Sequence, residues 1–226
     1  MRPHSRPILL LDLDGTLVDA APGITGSCRR TMRELGVSLL EDDDLIWMVG
    51  PPLRSSLRRL VGTNADLDEA LQRYRHHYST WGLYQSVPYP GVREALAALV
   101  GDGIRLMVCT AKSTASARSL IDHVELTPFV SHVYGSGSGA TSDDKAALVG
   151  RILLEQAARP HKTCMAGDRM YDVLAARAHG LTAIGALWGY GSRAELEAAG
   201  ADVLIQSPAE LLDLGRRGLF DRLAPP

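Results

Sequence analysis

The fold of this 226-residue chain is decided by the stretch Leu9-Leu-Leu-Asp-Leu-Asp-Gly-Thr-Leu-Val-Asp19. Residues 8–13 form a short, branched, apolar run that ends in acidic residues and Gly15. Such a run is typical of a buried parallel strand at its carboxyl end, because a strand covered on both faces is apolar throughout. The stretch therefore predicts the first strand of a parallel sheet.

Short apolar runs alternate with helical periodicity along most of the remaining chain. Further strands are predicted at 104–109, 163–166 and 182–187, with weaker signals at 130–134 and 202–205. Helical periodicity covers 92–100, 146–157 and 171–178. Alternating strands and helices favour a parallel sheet with helices on both faces. We therefore predict an α/β fold with a Rossmann-like, three-layer α/β/α core.

The segment 20–87 breaks this alternation. It contains no convincing strand, and its periodicity predicts helices at 23–35, 42–48, 53–61 and 66–81. Its limits are marked by Pro22 and Gly23 on one side and by Pro88-Tyr-Pro-Gly91 on the other, and both sequences are suited to linkers. We predict an all-helical cap domain at 20–87, inserted into a core made of 1–19 and 88–226.

Two carboxylates, Asp12 and Asp14, lie at the predicted end of the first strand. Ligands of open α/β sheets bind outside the carboxyl ends of the strands. Gly15 and Thr16 begin the turn there, where backbone amides become free to point at a ligand. An acidic pair at this edge is suited to a divalent cation, which in turn attracts phosphate.

The same stretch, from Leu9 to Asp19, resembles the first motif of the haloacid dehalogenase superfamily of phosphatases. The resemblance implies that Asp12 is the nucleophile that attacks phosphorus. It implies that Asp14 is the general acid for the leaving alkoxide and later the base toward water. It also implies an Mg²⁺ ion held by the Asp12 carboxylate and the Asp14 backbone carbonyl, with Gly15 in the phosphate-binding turn.

The second motif that the resemblance implies is a serine or threonine at a strand end. Thr110 follows the apolar residues 106–109 and precedes Ala111. In the family, this hydroxyl and the amide that follows it bind the phosphoryl oxygens. A threonine after a strand is common, so the assignment depends on the other motifs.

The third motif is a lysine, and the chain contains only three lysines. Lys145 stands at a predicted helix start, with Asp143 or Ser142 as candidate N-caps. The resemblance implies that Lys145 neutralises the nucleophile and the transferring phosphoryl group. Lys112, two residues after Thr110, is a rival for this role. The position of Lys145 between the second and fourth motifs favours it.

The fourth motif is matched by Gly167-Asp168, with Asp172 four residues further on. Asp168 is implied as the principal Mg²⁺ ligand of this segment. Asp172 is expected to orient Asp168, a metal-bound water or Lys145 from outside the coordination sphere. Arg169 stands where many members of the family carry a small residue.

Two further segments resemble phosphoglycolate-phosphatase-like members of the superfamily. Gly50-Pro51-Pro52-Leu53 matches the substrate-specificity loop of their caps, although the same turn is also a rigid helix connector. Residues 188–192 match the loop after the last motif. We expect Arg54 or Arg58 to reach a substrate carboxylate, unless both are solvated helix residues.

Composition narrows the classes of partner. A formal net charge of -2 and the absence of a basic stripe argue against nucleic acid. No apolar run is long enough to span a membrane. Cys28, Cys109 and Cys164 lack metal-ligand spacing, and we expect them to be reduced core residues of a cytoplasmic protein, either monomer or homodimer.

These features together predict an Mg²⁺-dependent phosphomonoester hydrolase that acts on a small phosphorylated metabolite. The preferred substrate is 2-phosphoglycolate. A 5′-nucleotidase or a sugar-phosphate phosphatase is the nearest alternative. A sugar-phosphate mutase is a weaker alternative, because the predicted cap offers no evident lysine for a second phosphate. A dehalogenase is weaker still, because it needs neither magnesium nor an acid at Asp14. A non-catalytic binding protein is disfavoured because every motif residue is present.

Overall fold

A computed structural model describes residues 6–39, 44–137 and 144–216. Its centre is a six-stranded parallel sheet in the order β5-β4-β1-β6-β7-β8. The six strands are β1 Ile8–Leu11, β4 Arg105–Ser113, β5 His132–Ser136, β6 Thr163–Gly167, β7 Thr182–Ala186 and β8 Val203–Ile205. The α/β prediction is confirmed, and each of the six strands overlaps the range that the sequence indicated.

The sheet is buried on both faces, which explains the apolar runs. In β1, Leu9 and Leu11 join one core cluster, while Ile8 and Leu10 join the cluster on the other face. This division follows from the alternation of side chains along a strand. Because β1 lies between β4 and β6, its end is the centre of the sheet edge.

Helices cover the two faces and complete the three layers. Their bounds are α4 Val92–Gly101, α5 Thr114–His123, α6 Lys145–Glu155, α7 Met170–Ala178, α8 Arg193–Ala199 and α9 Glu210–Arg216. Buried residues of α4, α5 and α9 join one core cluster, and those of α6, α7 and α8 join the other. The helical periodicity described for the sequence did not predict α5, α8 or α9.

A helical segment, here called the cap segment, lies between two very short strands, β2 Val18–Asp19 and β3 Val87–Pro88. These strands pair antiparallel, so the two crossings of the chain lie side by side. The helices of the cap segment are α1 Ala21–Glu34, α2 Leu53–Val61 and α3 Leu67–Thr80, with 3₁₀ turns at Ile46–Met48 and Gly82–Gln85. The division into a core domain and a cap domain stays a prediction.

Two predicted elements differ from the structure. The helix expected at 42–48 is only a 3₁₀ turn at Ile46–Met48 within the described residues, and 42–43 lie outside them. Asp44 accepts a hydrogen bond from the Ile46 amide, which starts that turn locally. Strand β4 does not end at Cys109; it continues to Ser113 with a register shift against β5.

In the described part of the chain, no helix has the length and apolar character needed to cross a membrane. The three cysteines are free and buried.

Candidate active site

The site begins at the carboxyl end of β1, at the edge where the sequence placed it. The Asp12 amide donates to the Ala166 carbonyl at 2.9 Å, so Asp12 lies beside the end of β6. Asp12 and Asp14 are both buried. Two carboxylates at the centre of the sheet edge therefore share a pocket with the residues that follow β6.

Three buried carboxylates meet there: Asp12, Asp168 and Asp172 each offer an oxygen within 4.8 Å of the others. Burial, followed by the charges of Asp12 and Asp172, raises the pKa of Asp168 from 3.8 to about 8. Thr16 and the Tyr190 amide donate to the Asp168 oxygens at 3.1 and 2.8 Å and oppose this rise.

This acidic triad fits a hard divalent cation. Buried carboxylates repel one another when ionised, and oxygen is the ligand that Mg²⁺ prefers. Asp12 and Asp168, two of the predicted metal residues, are brought together. The Asp14 side chain is not in the triad, and Asp172, predicted to lie outside the coordination sphere, is in it.

Lys145 lies at the first turn of α6 and points into the triad. Its Nζ is 2.6 Å from Asp12 Oδ1 and also contacts Asp172 Oδ1. Burial disfavours the ammonium, but the two carboxylates outweigh it and raise the pKa of Lys145. The helix is capped by Asp144, which accepts from the Ala146 amide; the candidate caps Asp143 and Ser142 lie outside the described residues.

Lys112 pairs with the other acid of the first motif. Its Nζ lies 2.9 Å from Asp14 Oδ2 and 2.9 Å from the hydroxyl oxygen of Tyr78 in the cap segment. Burial raises the pKa of Asp14, and Lys112 opposes this rise. Lys112 and Lys145 are therefore not rivals for one position, because each lysine holds a different carboxylate.

The prediction that the Gly15 amide is free for phosphate is wrong. That amide donates to the Val18 carbonyl at 2.8 Å inside the turn. Gly15 is needed for a different reason: its φ is +95°, and a Cβ there would lie 2.3 Å from Asp168 Oδ2. Only glycine allows the turn after β1 to approach the Asp168 carboxylate so closely.

Hydrogen bonds join the segment after β7 to the turn after β1 and to the start of the cap segment. The Trp188 indole N–H donates to the Thr16 carbonyl at 3.0 Å. The Tyr190 hydroxyl donates to Asp19 at 2.7 Å and accepts from the Ala20 and Ala21 amides at 3.0 Å. Residues 188–192 therefore tie the Asp168 segment to the entry of the cap segment.

A family model, described as haloacid dehalogenase-like hydrolase, matches residues 9–186. The chain belongs to this family. The match covers the acidic triad, both buried lysines and the whole cap segment, so the resemblance seen in the first motif extends over most of the chain.

Several relatives of this haloacid dehalogenase-like hydrolase carry names. A 5′-nucleotidase from Pseudomonas aeruginosa is 35% identical over 85% of this chain and 87% of its own length. A phosphoglycolate phosphatase from Agrobacterium fabrum is 32% identical over 98% and 95%. Tyrosine-protein kinase PtkA of Mycobacterium tuberculosis is 33% identical over 83% of this chain, but only 64% of that protein is covered.

A solved structure has the same fold. The crystal structure of a predicted phosphatase from Clostridium acetobutylicum superposes with a TM-score of 0.85 and 30% identity, over 92% of this chain and 97% of that one. With the phosphoglycolate phosphatases among the relatives, the comparison identifies this hydrolase as a phosphatase of the haloacid dehalogenase family.

The cap segment reaches the site of this phosphatase through Gly50 and Pro52. Both line a cavity of about 180 Å³ together with Ala111 and Lys145. The cavity thus brings two residues of the predicted specificity loop together with two of the predicted phosphate-binding residues. Pro51, between the two loop residues, is half-buried and does not line the cavity.

Arg54 and Arg58 make the contacts of helix residues, the second of the two alternatives that the sequence left open for them. Arg54 is 55% exposed and pairs with the exposed Asp68 at 2.9 Å. Arg58 donates to the carbonyls of Gly62, Thr63 and Ala65 at the end of its own helix. Both guanidinium groups are therefore engaged within the cap segment, and neither side chain lines the cavity.

Arg169 makes a contact that sequence analysis missed. Its Nη1 donates to the Val49 carbonyl at 2.5 Å, and its Nε donates to Glu195 at 2.9 Å. The residue beside Asp168 therefore touches the predicted specificity loop. The only signal in the sequence was an arginine where many members of the family carry a small residue.

Proposed function

We propose that this phosphatase hydrolyses a small phosphomonoester through an aspartyl-phosphate on Asp12, with Mg²⁺ as cofactor. The observation that carries the proposal is the acidic triad around Asp12 with the Lys145 ammonium 2.6 Å from the Asp12 carboxylate. A nucleophilic carboxylate, a cation-binding cluster and a fixed positive charge at one strand edge are the parts that phosphoryl transfer needs.

The reaction consists of two displacements at phosphorus. An oxygen of Asp12 forms a bond to phosphorus while the bond from phosphorus to the ester oxygen breaks, and Asp14 gives its proton to the departing alkoxide. Water then attacks the aspartyl-phosphate, Asp14 takes the proton of that water, and inorganic phosphate leaves with the Asp12 carboxylate restored. One residue acts as acid and then as base.

The transferring group is held by Thr110, the Ala111 amide and Lys145. Thr110 is buried within β4, which pairs with β1, the strand that Asp12 directly follows. The carboxylates of Asp12 and Asp168, supported by Asp172, would hold Mg²⁺ together with the Asp14 backbone carbonyl. The ion supplies charge neutralisation for the phosphoryl oxygens when it is bound.

We propose 2-phosphoglycolate as the substrate. Phosphoglycolate phosphatases are among the full-length relatives, and a cavity of about 180 Å³ is small enough to favour a compact metabolite. The second candidate is a nucleoside 5′-monophosphate, since a relative at 35% identity is named a 5′-nucleotidase.

The chemistry is tested with Asp12→Asn and with chelation of the metal. Asp12→Asn should abolish hydrolysis while circular dichroism shows an unchanged fold, because the amide oxygen is a poor nucleophile. EDTA should abolish hydrolysis by the natural chain, and added Mg²⁺ should restore it. Hydrolysis by Asp12→Asn at the rate of the natural chain would refute the covalent step.

The substrate is tested with a panel of phosphate esters. Values of kcat/KM are compared for 2-phosphoglycolate, nucleoside 5′-monophosphates and sugar phosphates in the presence of Mg²⁺. We expect 2-phosphoglycolate to rank first. A kcat/KM for 2-phosphoglycolate about a hundredfold below that for another ester would exclude it as the substrate, because this difference exceeds what one missing contact explains.

A further inference from the structure

Lys112 is a buried cation at the boundary between the core and the cap segment. Its side chain is 10% exposed, and that of its partner Asp14 is 12% exposed. Tyr78 of α3 supplies a hydroxyl at 2.9 Å and an aromatic face whose centre is 4.2 Å from Nζ. A lysine this deeply buried is unusual unless it is paired or has a ligand to bind.

The backbone around Lys112 is fixed by packing. Its amide donates to the Thr110 hydroxyl at 3.2 Å, within the register shift of β4. On the neighbouring strand, a Cβ at Gly135 would lie 2.4 Å from the Lys112 carbonyl oxygen. This close approach holds the lysine beside the phosphate-binding threonine.

The ammonium of Lys112 has hydrogen-bonding capacity to spare. It carries three N–H groups, and Asp14 and Tyr78 provide two acceptors among the described residues. Asp14 Oδ1 is buried and receives no hydrogen bond from the described residues. One N–H of the Lys112 ammonium and the Oδ1 atom of Asp14 are thus available to a ligand.

The position of Lys112 defines which part of a substrate it meets. Under the proposed function, Asp14 gives its proton to the ester oxygen, so Lys112 lies next to the first atoms of the leaving group. A carboxylate on the ester-bearing carbon starts only two bonds, or roughly 2.5 Å, from that oxygen. Arg54 and Arg58, the cations first expected to bind a carboxylate, are engaged elsewhere.

We propose that Lys112, with the Tyr78 hydroxyl beside it, forms a subsite for a carboxylate attached to the ester-bearing carbon of the substrate. The inference rests on the proposed function and narrows it to phosphate esters of 2-hydroxy acids. A largely buried ammonium discriminates strongly between a charged partner and a neutral one. Neutral alcohols, nucleosides included, leave the subsite without its anion.

The test compares 2-phosphoglycolate with ethyl phosphate, which has the same chain length and no carboxylate. For the natural chain, kcat/KM should be at least about tenfold higher for 2-phosphoglycolate. Lys112→Met should lower this ratio by roughly 10- to 100-fold, while Lys112→Arg should retain part of it. Lys162→Met, which changes the third lysine far from the site, is the matched control and should leave the ratio unchanged.

The ratio separates substrate binding from an effect on Asp14. If Lys112 only supported Asp14, Lys112→Met would slow both esters equally, and that result would overturn the subsite. Equal kcat/KM for both esters in the natural chain would also overturn it, while leaving the phosphatase proposal intact. Failure to hydrolyse any ester would instead refute the proposed function.

Binding provides a second measurement that does not depend on turnover. In the Asp12→Asn background, calorimetry with Mg²⁺ should show 2-phosphoglycolate bound roughly tenfold more tightly than ethyl phosphate. Tyr78→Phe, which keeps the ring and removes the hydroxyl, should reduce that preference. Equal affinities for the two esters in this background would contradict the inference even where Lys112→Met fails to fold.

Discussion

The Arg169 guanidinium donates to the Val49 carbonyl at 2.5 Å, and this hydrogen bond joins the core to the cap segment. Arg169 directly follows Asp168, a member of the acidic triad. Its Nε donates to Glu195 of α8, which holds the side chain in place from the core. The loop that lines the cavity is therefore tied to the strand end that carries the proposed metal site.

Arg169→Met should raise KM about tenfold and change kcat by less than about threefold, because the loop loses a charged hydrogen bond and the reacting groups are untouched. Steady-state kinetics on the best substrate of the panel measure this split. Arg193→Met is the matched control, since Arg193 is exposed and its ion pair among the described residues is with Glu197 on the same helix, α8. A fall in kcat at constant KM would place Arg169 in the chemistry.

Gly50→Ala tests the same contact from the side of the loop. Gly50 has φ +103°, and a Cβ there would lie 2.9 Å from Arg169 Cγ. We expect kcat/KM to fall about tenfold and the free energy of unfolding to fall by about 1–2 kcal/mol. Gly36→Ala has a similar positive φ of +68° and no atom within 4 Å of the added Cβ, so it should cost stability without loss of activity.

Tyr190→Phe should destabilise the protein by about 1–3 kcal/mol, because the Ala20 amide loses its acceptor and Asp19 loses a donor. Urea unfolding measures the change. Tyr84→Phe removes a hydroxyl from a residue that is 57% exposed and should have an effect near zero. Equal effects of the two substitutions would show that the Tyr190 hydroxyl contributes nothing beyond solvation.

The features that follow from a parallel sheet were predictable from the sequence. Strand β1 is apolar on both faces, so its position between two other strands could be expected. Carboxyl ends of parallel strands meet at one edge. This is why Asp12 and Asp168, 156 positions apart in the numbering, were expected in one site and are found in it.

Contacts between the cap segment and the core could not be predicted in the same way. The pairing of Lys112 with Asp14 depends on a register shift in β4, and sequence periodicity does not show such a shift. Arg169 reaches Val49 across 120 residues. The role of Arg58 stayed open because nothing in its local sequence distinguishes an arginine that caps its own helix from one that binds a ligand.

Metal removal should make stability depend on pH through Asp168. Its pKa is raised from 3.8 to about 8 in the folded chain, by burial and then by Asp12 and Asp172. The folded state therefore keeps a proton that the unfolded state has released. This contribution to stability is complete below about pH 4 and is lost as the pH rises to about 8.

Thermal unfolding in EDTA, followed at pH 5 and pH 8, compares the natural chain with Asp168→Asn. From pH 5 to pH 8, the midpoint of thermal unfolding should fall by roughly 5 °C or more further for the natural chain than for the variant. The reason is that the side-chain amide of the variant cannot ionise. Mg²⁺ at pH 8 should raise the midpoint of the natural chain and have little effect on the variant, since a cation stabilises the ionised triad that binds it. Parallel pH profiles of the two proteins in EDTA, or equal responses to Mg²⁺, would show that Asp168 is not the residue that couples proton and metal binding.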